Sequence, residues 1–278
     1  MKNILTKIGG LIVLAGIFSA FGQYAGDRAF RTLSNRSFKK GELLEYRLHI
    51  GMLTAGEATM SILPDIERRN GRPCYRIDVY GKTTGLADFL YSVKDNWGTY
   101  YDTASLVPHQ FYRNIQEGRY RKYEVVDFDH QNEKAKVTTL DKHTFKPKET
   151  KMYDIPSNIQ DLVSGYYYIR TLDFSKTQPN DTLQVKAFFD KELFDMKIRF
   201  VRREVLKTKL GKINSLVFAP VMPENSIFEG EDAILLWMSD DANKIPLKVR
   251  AKMFLVGSVD IDITDAKNIK SRLAVVQE

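Results

Sequence analysis

Apolar and polar residues alternate with a period of two through most of this chain, and one central segment departs from that pattern. The clearest alternation lies in Glu42–Ile50, where every second side chain is apolar, as in a strand with one buried face. About 13 segments have this character, and no period of 20–50 residues repeats. The chain is therefore predicted to be mainly β, built on a long curved antiparallel sheet, half-barrel-like or as two packed sheets, with one central amphipathic helix.

The central helix is predicted over Ser157–Asp173. Ser157 is a good N-cap residue, Gln160 stands at capping-box spacing, and Pro156 stops the helix from extending backwards. At 100° per residue, six apolar residues share one half of the cylinder: Ile159, Leu162, Val163, Tyr166, Tyr167 and Ile169. One face of the helix is therefore expected to be buried against the sheet.

Arg170 projects from the middle of this apolar face. A buried guanidinium must find a carboxylate, carbonyl groups or a ligand anion, because an unpaired buried charge costs several kcal/mol. One interpretation is that it pairs with Asp173 or a strand carboxylate, or caps the end of the helix. The other is that it anchors an anionic head group at the mouth of an apolar cavity.

The N-terminus has the pattern of an export signal. Lys2 and Lys7 flank a short basic region, and the uncharged run Ile8–Phe21 that follows is shorter than the roughly 20 residues of a membrane span. We predict a signal peptide at 1–22 and a polar lead-in at 23–40. Residues 41–278 are predicted to form one β-rich domain, or two halves around helix 157–173. These features predict a periplasmic or outer-envelope protein with no membrane span after cleavage, and an uncleaved anchor is the alternative.

Charge and cysteine content narrow the function. The formal net charge is +7, which fits basic outward strand faces or attraction to anionic envelope lipids or polysaccharides. No nucleic-acid recognition motif is present. Cys74 is the single cysteine, so no intramolecular disulfide forms, and its strand pattern predicts a buried, inert thiol. The charged segment Pro64–Arg72 is expected to be a hairpin loop.

Motifs for catalysis, cofactors and metals are missing from the sequence. It contains no G-x-S-x-G, H-E-x-x-H, C-x-x-C or G-x-G-x-x-G pattern. Four histidines, none with metal-ligand spacing, are expected to be ordinary sheet residues: His49, His109, His130 and His143. Asp127–Asp129 is expected to be part of an acidic hairpin, and Asp240-Asp241 a turn rather than a catalytic carboxylate pair.

Three blocks of sequence resemble one exported bacterial family, catalogued as domain of unknown function 3108. The first is Gly41-Glu42 with Leu44 and Tyr46, followed by Ala55-Gly56-Glu57-Ala58; the second is Tyr166–Arg170; the third is Leu236–Asp241 with Ile245-Pro246. The resemblance covers roughly residues 38–265 and implies a β-rich periplasmic or envelope-associated protein. It supplies no reaction and no catalytic residues.

The leading hypothesis is a non-enzymatic envelope protein that binds an apolar or amphiphilic ligand, such as a lipid, between the curved sheet and the helix. The predicted lining is Tyr166, Tyr167, Trp97 and Trp237, with Arg170 as the head-group anchor. One alternative is a structural or partner-binding envelope protein with a filled core, in which Arg170 belongs to a buried ion pair. Another is a hydrolase of envelope glycans or lipids that uses Asp240 or Asp241. No cofactor or metal is expected.

Overall fold

The computed structural model describes residues 30–221, 232–254 and 257–276. The predicted signal peptide at 1–22 and residues 23–29 of the predicted lead-in lie outside the described residues. From Arg31 onward the chain forms one compact unit. None of the helices within the described ranges is long and apolar enough to cross a membrane.

Fourteen strands and two helices make up the part of the chain that the structure describes. The strands are β1 (Leu43–Ile50), β2 (Leu53–Arg69), β3 (Arg72–Thr83), β4 (Lys94–Asp102), β5 (Pro108–Glu117), β6 (Tyr120–Asp129), β7 (Lys134–Leu140), β8 (Pro147–Asp154), β9 (Thr182–Phe189), β10 (Glu192–Thr208), β11 (Gly211–Val221), β12 (Ile234–Ser239), β13 (Pro246–Met253) and β14 (Gly257–Lys267). The helices are α1 (Gly85–Leu90) and α2 (Leu162–Arg170).

All 14 strands belong to one antiparallel sheet, which confirms the predicted fold class. Its order is β8-β7-β6-β5-β4-β3-β2-β1-β14-β13-β12-β11-β10-β9. The chain starts at the centre of the sheet with β1 and runs outward, strand by strand, to the edge at β8. The segment containing α2 then carries it to the opposite edge at β9, and the chain returns inward until β14 pairs with β1. The predicted helix is thus the connection between the two edges of the sheet.

The structure corrects the start of this helix. Residues 157–161 are not helical: Asn158 has a φ of 60°, and Gln160 pairs with β9 through Gln160 N to Lys186 O and Phe188 N to Gln160 O. The helix begins at Leu162 and is capped by Asp161, with Ser164 completing the capping box. The predicted N-cap at Ser157 is wrong, because sheet pairing of Gln160 takes precedence over a local capping signal.

α2 is buried on more than its apolar side. Val163 and Tyr167 pack in one core cluster with β2–β7 residues such as Ile62 and Phe111. Ile169 packs in a second cluster with residues of β9–β12 such as Val185 and Phe218. The polar residues near the start of the helix are also buried: Gln160, Asp161 and Ser164. The helix therefore ties the two halves of the sheet together. Thr99 of β4 donates to Asp161, Asp161 N donates to Ser164 Oγ, and Gln160 Nε2 donates to Leu106 O in the β4–β5 connection.

α1 lies in the connection between β3 and β4. It follows β3 directly, and Thr84 N donates to Ala55 O of β2. None of its side chains is buried. Its large apolar residues Leu86, Phe89 and Leu90 are 59%, 85% and 72% exposed. A six-residue helix gains little stability by itself in water, so its position depends on the strands that flank it.

Candidate functional site

An apolar groove lies between α2 and the face of β2, β3 and β4. It has a volume of about 360 Å³ and is open on one side. Its lining comprises Met60, Val79, Gly81, Asp95, Trp97, Leu162, Val163 and Tyr166. Six of these eight side chains are apolar or aromatic, and Asp95 is the only charged one. We call this space the groove.

The register of three neighbouring strands builds the wall of the groove. Met60 pairs with Val79, and Val79 pairs with Trp97, so these side chains lie side by side on one face. Gly81 pairs with Asp95 one step further along the same face. A Cβ atom built at Gly81 meets no atom within 4 Å. The glycine therefore leaves space in the groove, and no backbone strain requires it.

Trp97 is held in place by contacts outside the groove. Its ring stacks on Phe189 at 5.5 Å between centroids and meets the edge of Phe111 at 6.2 Å. Phe189 is the last residue of β9, so the β9–β10 hairpin reaches across to the opposite half of the sheet. The indole is therefore fixed between two strands that are far apart in the sheet order.

A cluster of charges fixes the same hairpin. Arg113 Nη2 lies 2.8 Å from Glu124 Oε1 and 2.5 Å from Asp190 Oδ1, and Lys122 Nζ lies 2.8 Å from Asp190 Oδ1. Hydrogen bonds from Lys122 and Arg113 lower the pKa of Asp190 to about 2. Asp190 sits at the turn of the hairpin, so these bonds tie β9–β10 to β5 and β6 beside Trp97.

Arg170 is fully buried, and each of its three guanidinium nitrogens donates to an internal acceptor. Nη1 and Nη2 bind the two carboxylate oxygens of Glu42 at 2.6 and 2.9 Å. Nε donates to Asn243 O at 3.1 Å and Nη2 also to Ser37 O at 3.2 Å. Burial is the largest single effect on the pKa of Arg170 and lowers it, but the charge and hydrogen bonds of Glu42, together with Tyr166 and Tyr167, raise the pKa above its ordinary value. Of the partners considered from the sequence, a carboxylate at the start of the first strand is the one observed, and Asp173 is not.

The predicted lining residues divide into three groups. Tyr166 and Trp97 lie in the groove. Tyr167 faces the core, where it is fully buried and meets Phe38 edge-on at 5.1 Å. Trp237 belongs to a separate cluster with Leu44, Ile213 and other residues of β1 and β11–β14, and its Nε1 donates to Glu204. The structure therefore brings Tyr166 and Trp97 together and leaves Trp237 elsewhere.

Six groove residues were not predicted as site residues from the sequence: Met60, Val79, Gly81, Asp95, Leu162 and Val163. Met60 belongs to a strand whose alternation was evident, which identified its buried face but not what covers it. Gly81 carries no side chain and gives no signal of its own. The register between β2, β3 and β4 was the missing information.

The remaining candidate residues have structural roles. Asp241 accepts hydrogen bonds from Asn243 N and Lys244 N, and Asp240 pairs with Arg203, so the turn prediction is confirmed. Cys74 is buried as predicted, and burial raises the pKa of its thiol to about 12. Within the described ranges, no group of three or more His, Cys, Asp or Glu side chains could hold a metal ion.

His109 and His130 do not stay at the sheet surface. Both are buried, and their rings lie 6.0 Å apart. His109 Nε2 lies 3.2 Å from Asp102 Oδ2, and Asp102 also binds Arg72. His130 Nε2 lies 2.7 Å from Pro108 O. These contacts fix the turn between β4 and β5, because Asp102 accepts from the backbone N–H groups of Ala104 and Ser105.

Comparison with known proteins agrees with the resemblance seen in the sequence. Residues 45–264 match the family described as "Protein of unknown function (DUF3108)". The chain belongs to the DUF3108 family. This DUF3108 chain is also similar to a solved structure, a beta-barrel-like protein of domain of unknown function DUF1849 from Brucella abortus. The TM-score is 0.53 with 10% identity, over 86% of this chain and 99% of the other.

At 10% identity the likeness between the DUF3108 chain and the DUF1849 protein concerns the fold alone. It agrees with the curved antiparallel sheet described above. No curated protein matches the chain. Functional inference therefore depends on the residues of the groove and of the surface around it.

Proposed function

We propose that this chain is an exported envelope protein without catalytic activity that binds an apolar or amphiphilic ligand in the groove between α2 and the sheet. The observation that supports this most directly is the groove itself, with about 360 Å³ of space lined by six apolar or aromatic side chains. Small-molecule sites occupy roughly 300–1,000 Å³ and are mostly apolar, with a few polar groups. The groove meets both criteria.

A ligand in the groove would also cover apolar surface that the folded chain leaves exposed to solvent. Met60, Val79, Trp97 and Tyr166 are only partly buried, although they pack against the main core. Each square ångström of apolar surface that a ligand covers is worth roughly 25 cal/mol. An alkyl or aromatic group placed between Trp97 and Leu162 would be stabilised by burying its own apolar surface against both side chains.

The polar end of the groove favours a particular head group. Asp95 lies there, and its Oδ1 accepts a hydrogen bond from Gln116 N at 2.9 Å. Glu117 is close by: burial and then the charge of Asp95 raise its pKa. Two carboxyl groups repel an anion, so we propose a ligand whose head is cationic or an uncharged hydrogen-bond donor. Arg170, whose charge is paired internally with Glu42, does not serve as the anchor in this proposal.

Native mass spectrometry of the exported protein, followed by solvent extraction, tests the proposal. We expect a bound amphiphile that is released on denaturation. Gly81→Leu should abolish it, because a Cβ atom at this position has no neighbour within 4 Å and a leucine side chain there would occupy space in the groove. Lys82→Leu is the matched control: it adds the same side chain one residue later, on the opposite face of β3. A ligand-free wild-type protein that also takes up no added lipid would refute the proposal.

A structural or partner-binding role is the second candidate function. It is favoured by the Arg170–Glu42 pair, which closes internally and leaves no charge for a ligand. In that case Arg170→Met would lower the stability of the protein, and Gly81→Leu would have no effect on any binding measurement.

A further inference from the structure

The structure places several exposed apolar side chains at one end of the sheet, next to the groove. Strands β1 and β2 turn there between Ile50 and Leu53, and β3 and β4 are joined there by α1. The pairing of Gly56 with Thr83 sets these two connections beside each other. The β5–β6 turn lies next to them, because Gly118 N donates to Ser92 O at 2.8 Å. We call six of the large exposed apolar residues at this end the apolar rim: Met52, Leu86, Phe89, Leu90, Tyr91 and Tyr120.

The apolar rim is not explained by packing within the chain. α1 has the sequence GLADFL and buries none of its side chains. Phe89 is 85% exposed and Met52 is fully exposed. Isolated exposed apolar residues are ordinary, but a contiguous group on neighbouring loops marks an interaction surface.

Basic side chains surround the apolar rim. Lys82 and Lys94 flank α1, and Arg119 and Arg121 flank Tyr120 at the neighbouring turn. The acidic side chains at this end of the sheet are Glu57, which pairs with Lys82 at 3.6 Å, Asp88, which accepts a hydrogen bond from Thr83 Oγ1, and Asp95 and Glu117 at the polar end of the groove.

Among the described residues, Arg119 and Arg121 have no carboxylate partner, whereas Lys94 interacts electrostatically with Asp88. The surface therefore offers free positive charge beside apolar and tyrosine side chains. Phenylalanine and leucine suit the boundary between head groups and acyl chains, tyrosine suits the head-group level, and cations suit anionic phosphates.

The polar end of the groove lies close to the same end of the sheet. Gly81 and Asp95 line this polar end. Gly81 lies two residues before the end of β3, Asp95 lies one residue after the start of β4, and α1 connects these two strand ends. A protein held by the apolar rim would therefore have the polar end of the groove close to the surface that holds it. We propose that this end of the sheet docks on an anionic lipid bilayer, with the apolar rim inserted at the head-group level.

Vesicle co-sedimentation tests the proposal. We expect the exported protein to bind phosphatidylcholine vesicles that contain phosphatidylglycerol, to bind pure phosphatidylcholine vesicles more weakly, and to lose affinity as salt is raised. The triple variant Leu86→Ser, Phe89→Ser, Leu90→Ser should bind at least about tenfold more weakly. Arg119→Glu with Arg121→Glu should also lower affinity about tenfold and flatten the salt dependence.

The matched control is Ile66→Ser with Val205→Ser. These residues are 41% and 54% exposed and lie toward the opposite end of the sheet, so the control removes exposed apolar surface without touching the apolar rim. It should bind like the wild type. Circular dichroism and melting temperature should be unchanged in the triple variant, because its three side chains are exposed.

Three outcomes would overturn the proposal: no binding of the wild type to anionic vesicles, equal binding by the triple variant, or a concentration-dependent dimer that the triple variant loses while vesicle binding is absent. The last result would assign the apolar rim to a second copy of the chain. Gly81→Leu separates this proposal from the proposed function. It should keep vesicle binding even where ligand binding in the groove fails.

Discussion

Arg170 and Glu42 form a fully buried, two-point ion pair between residues 128 positions apart in the chain. Both side chains are 0% exposed. Arg170 ends α2, and Glu42 immediately precedes β1 at the centre of the sheet. The pair therefore joins the connection between the two sheet edges to the strand from which both halves start.

We predict that either single substitution in this pair destabilises the fold strongly. Arg170→Met leaves the carboxylate of Glu42 buried without its partner, and Glu42→Leu leaves the guanidinium, so each should cost about 3–5 kcal/mol of unfolding free energy. The double variant should recover a large part of this loss. Urea unfolding of the four proteins measures the coupling, and additive single losses would contradict the buried pair.

Acid should weaken the protein through His130. This residue is buried and stacks on Phe128, and desolvation lowers the pKa of its imidazole to about 4. Its charged or titratable neighbours are His109, Arg31 and Asp129. Between about pH 6.5 and pH 4 the unfolded chain binds a proton at this site that the folded protein does not, so stability falls as the pH is lowered through this window, by about 3 kcal/mol in total.

His130→Gln provides the measurement for this prediction. Glutamine can still donate to Pro108 O, as His130 Nε2 does, but it does not titrate. Unfolding free energies at pH 7 and pH 4 should differ less in the variant than in the wild type, by about 2–3 kcal/mol. Equal pH dependence in the two proteins would show that His130 does not carry the effect.

The start of α2 should depend on Asp161 and not on Ser157. Asp161 Oδ1 accepts from Val163 N and Ser164 N, both at 2.8 Å, and Oδ2 accepts from Thr99 Oγ1 at 2.7 Å. Asp161→Ala should therefore cost about 2 kcal/mol, with Asp161→Asn losing less. Ser157→Ala is the control and should cost under about 0.5 kcal/mol, because the hydrogen bond of Ser157 Oγ among the described residues is a long one, 3.3 Å to Glu133 Oε1. Equal losses of unfolding free energy at the two positions would contradict this prediction and would support the helix start at Ser157 predicted from the sequence.

The difference between Ser157 and Asp161 shows what sequence reasoning missed in this chain. Both residues are good caps, with a suitable residue three positions later, so local chemistry does not choose between them. The choice is made by the pairing of Gln160 with Lys186 and Phe188, which lie more than 25 residues away in β9. Long-range sheet register of this kind leaves no local signal.

One local signal in the sequence was available and was not used. Pro64–Arg72 was expected to be a loop, but β2 extends to Arg69 and β3 starts at Arg72. The turn is Asn70-Gly71, with φ values of 50° and 74°, and this dipeptide is the strongest short-range signal for a two-residue hairpin. The loop prediction is wrong because the charged residues of this segment were interpreted as a sign of a loop, although these residues lie in β2 and β3.

Arg170 shows both the strength and the limit of the sequence analysis. Helical periodicity correctly placed it on a buried face, since that inference needs only the positions within one segment. Its partner, Glu42, was beyond reach, because many carboxylates in the chain were equally eligible. The lining of the groove was predicted in part for the same reason. The position of Tyr166 can be inferred from helical periodicity, whereas the positions of Val79 and Gly81 in the groove depend on the pairing register of the strands.

Occupation of the groove is tested most directly by the fluorescence of Trp97. The chain has two tryptophans, and Trp237 lies in a separate cluster, so Trp237→Phe leaves Trp97 as the single reporter. Titration of this protein with an uncharged or cationic long-chain amphiphile, below its micelle concentration, should give a saturable blue shift and intensity change. The same titration with Gly81→Leu added should give none, and with Lys82→Leu added it should match the single-reporter protein. An unchanged Trp97 spectrum in the single-reporter protein, or an equal response in the Gly81→Leu protein, would contradict ligand binding in the groove.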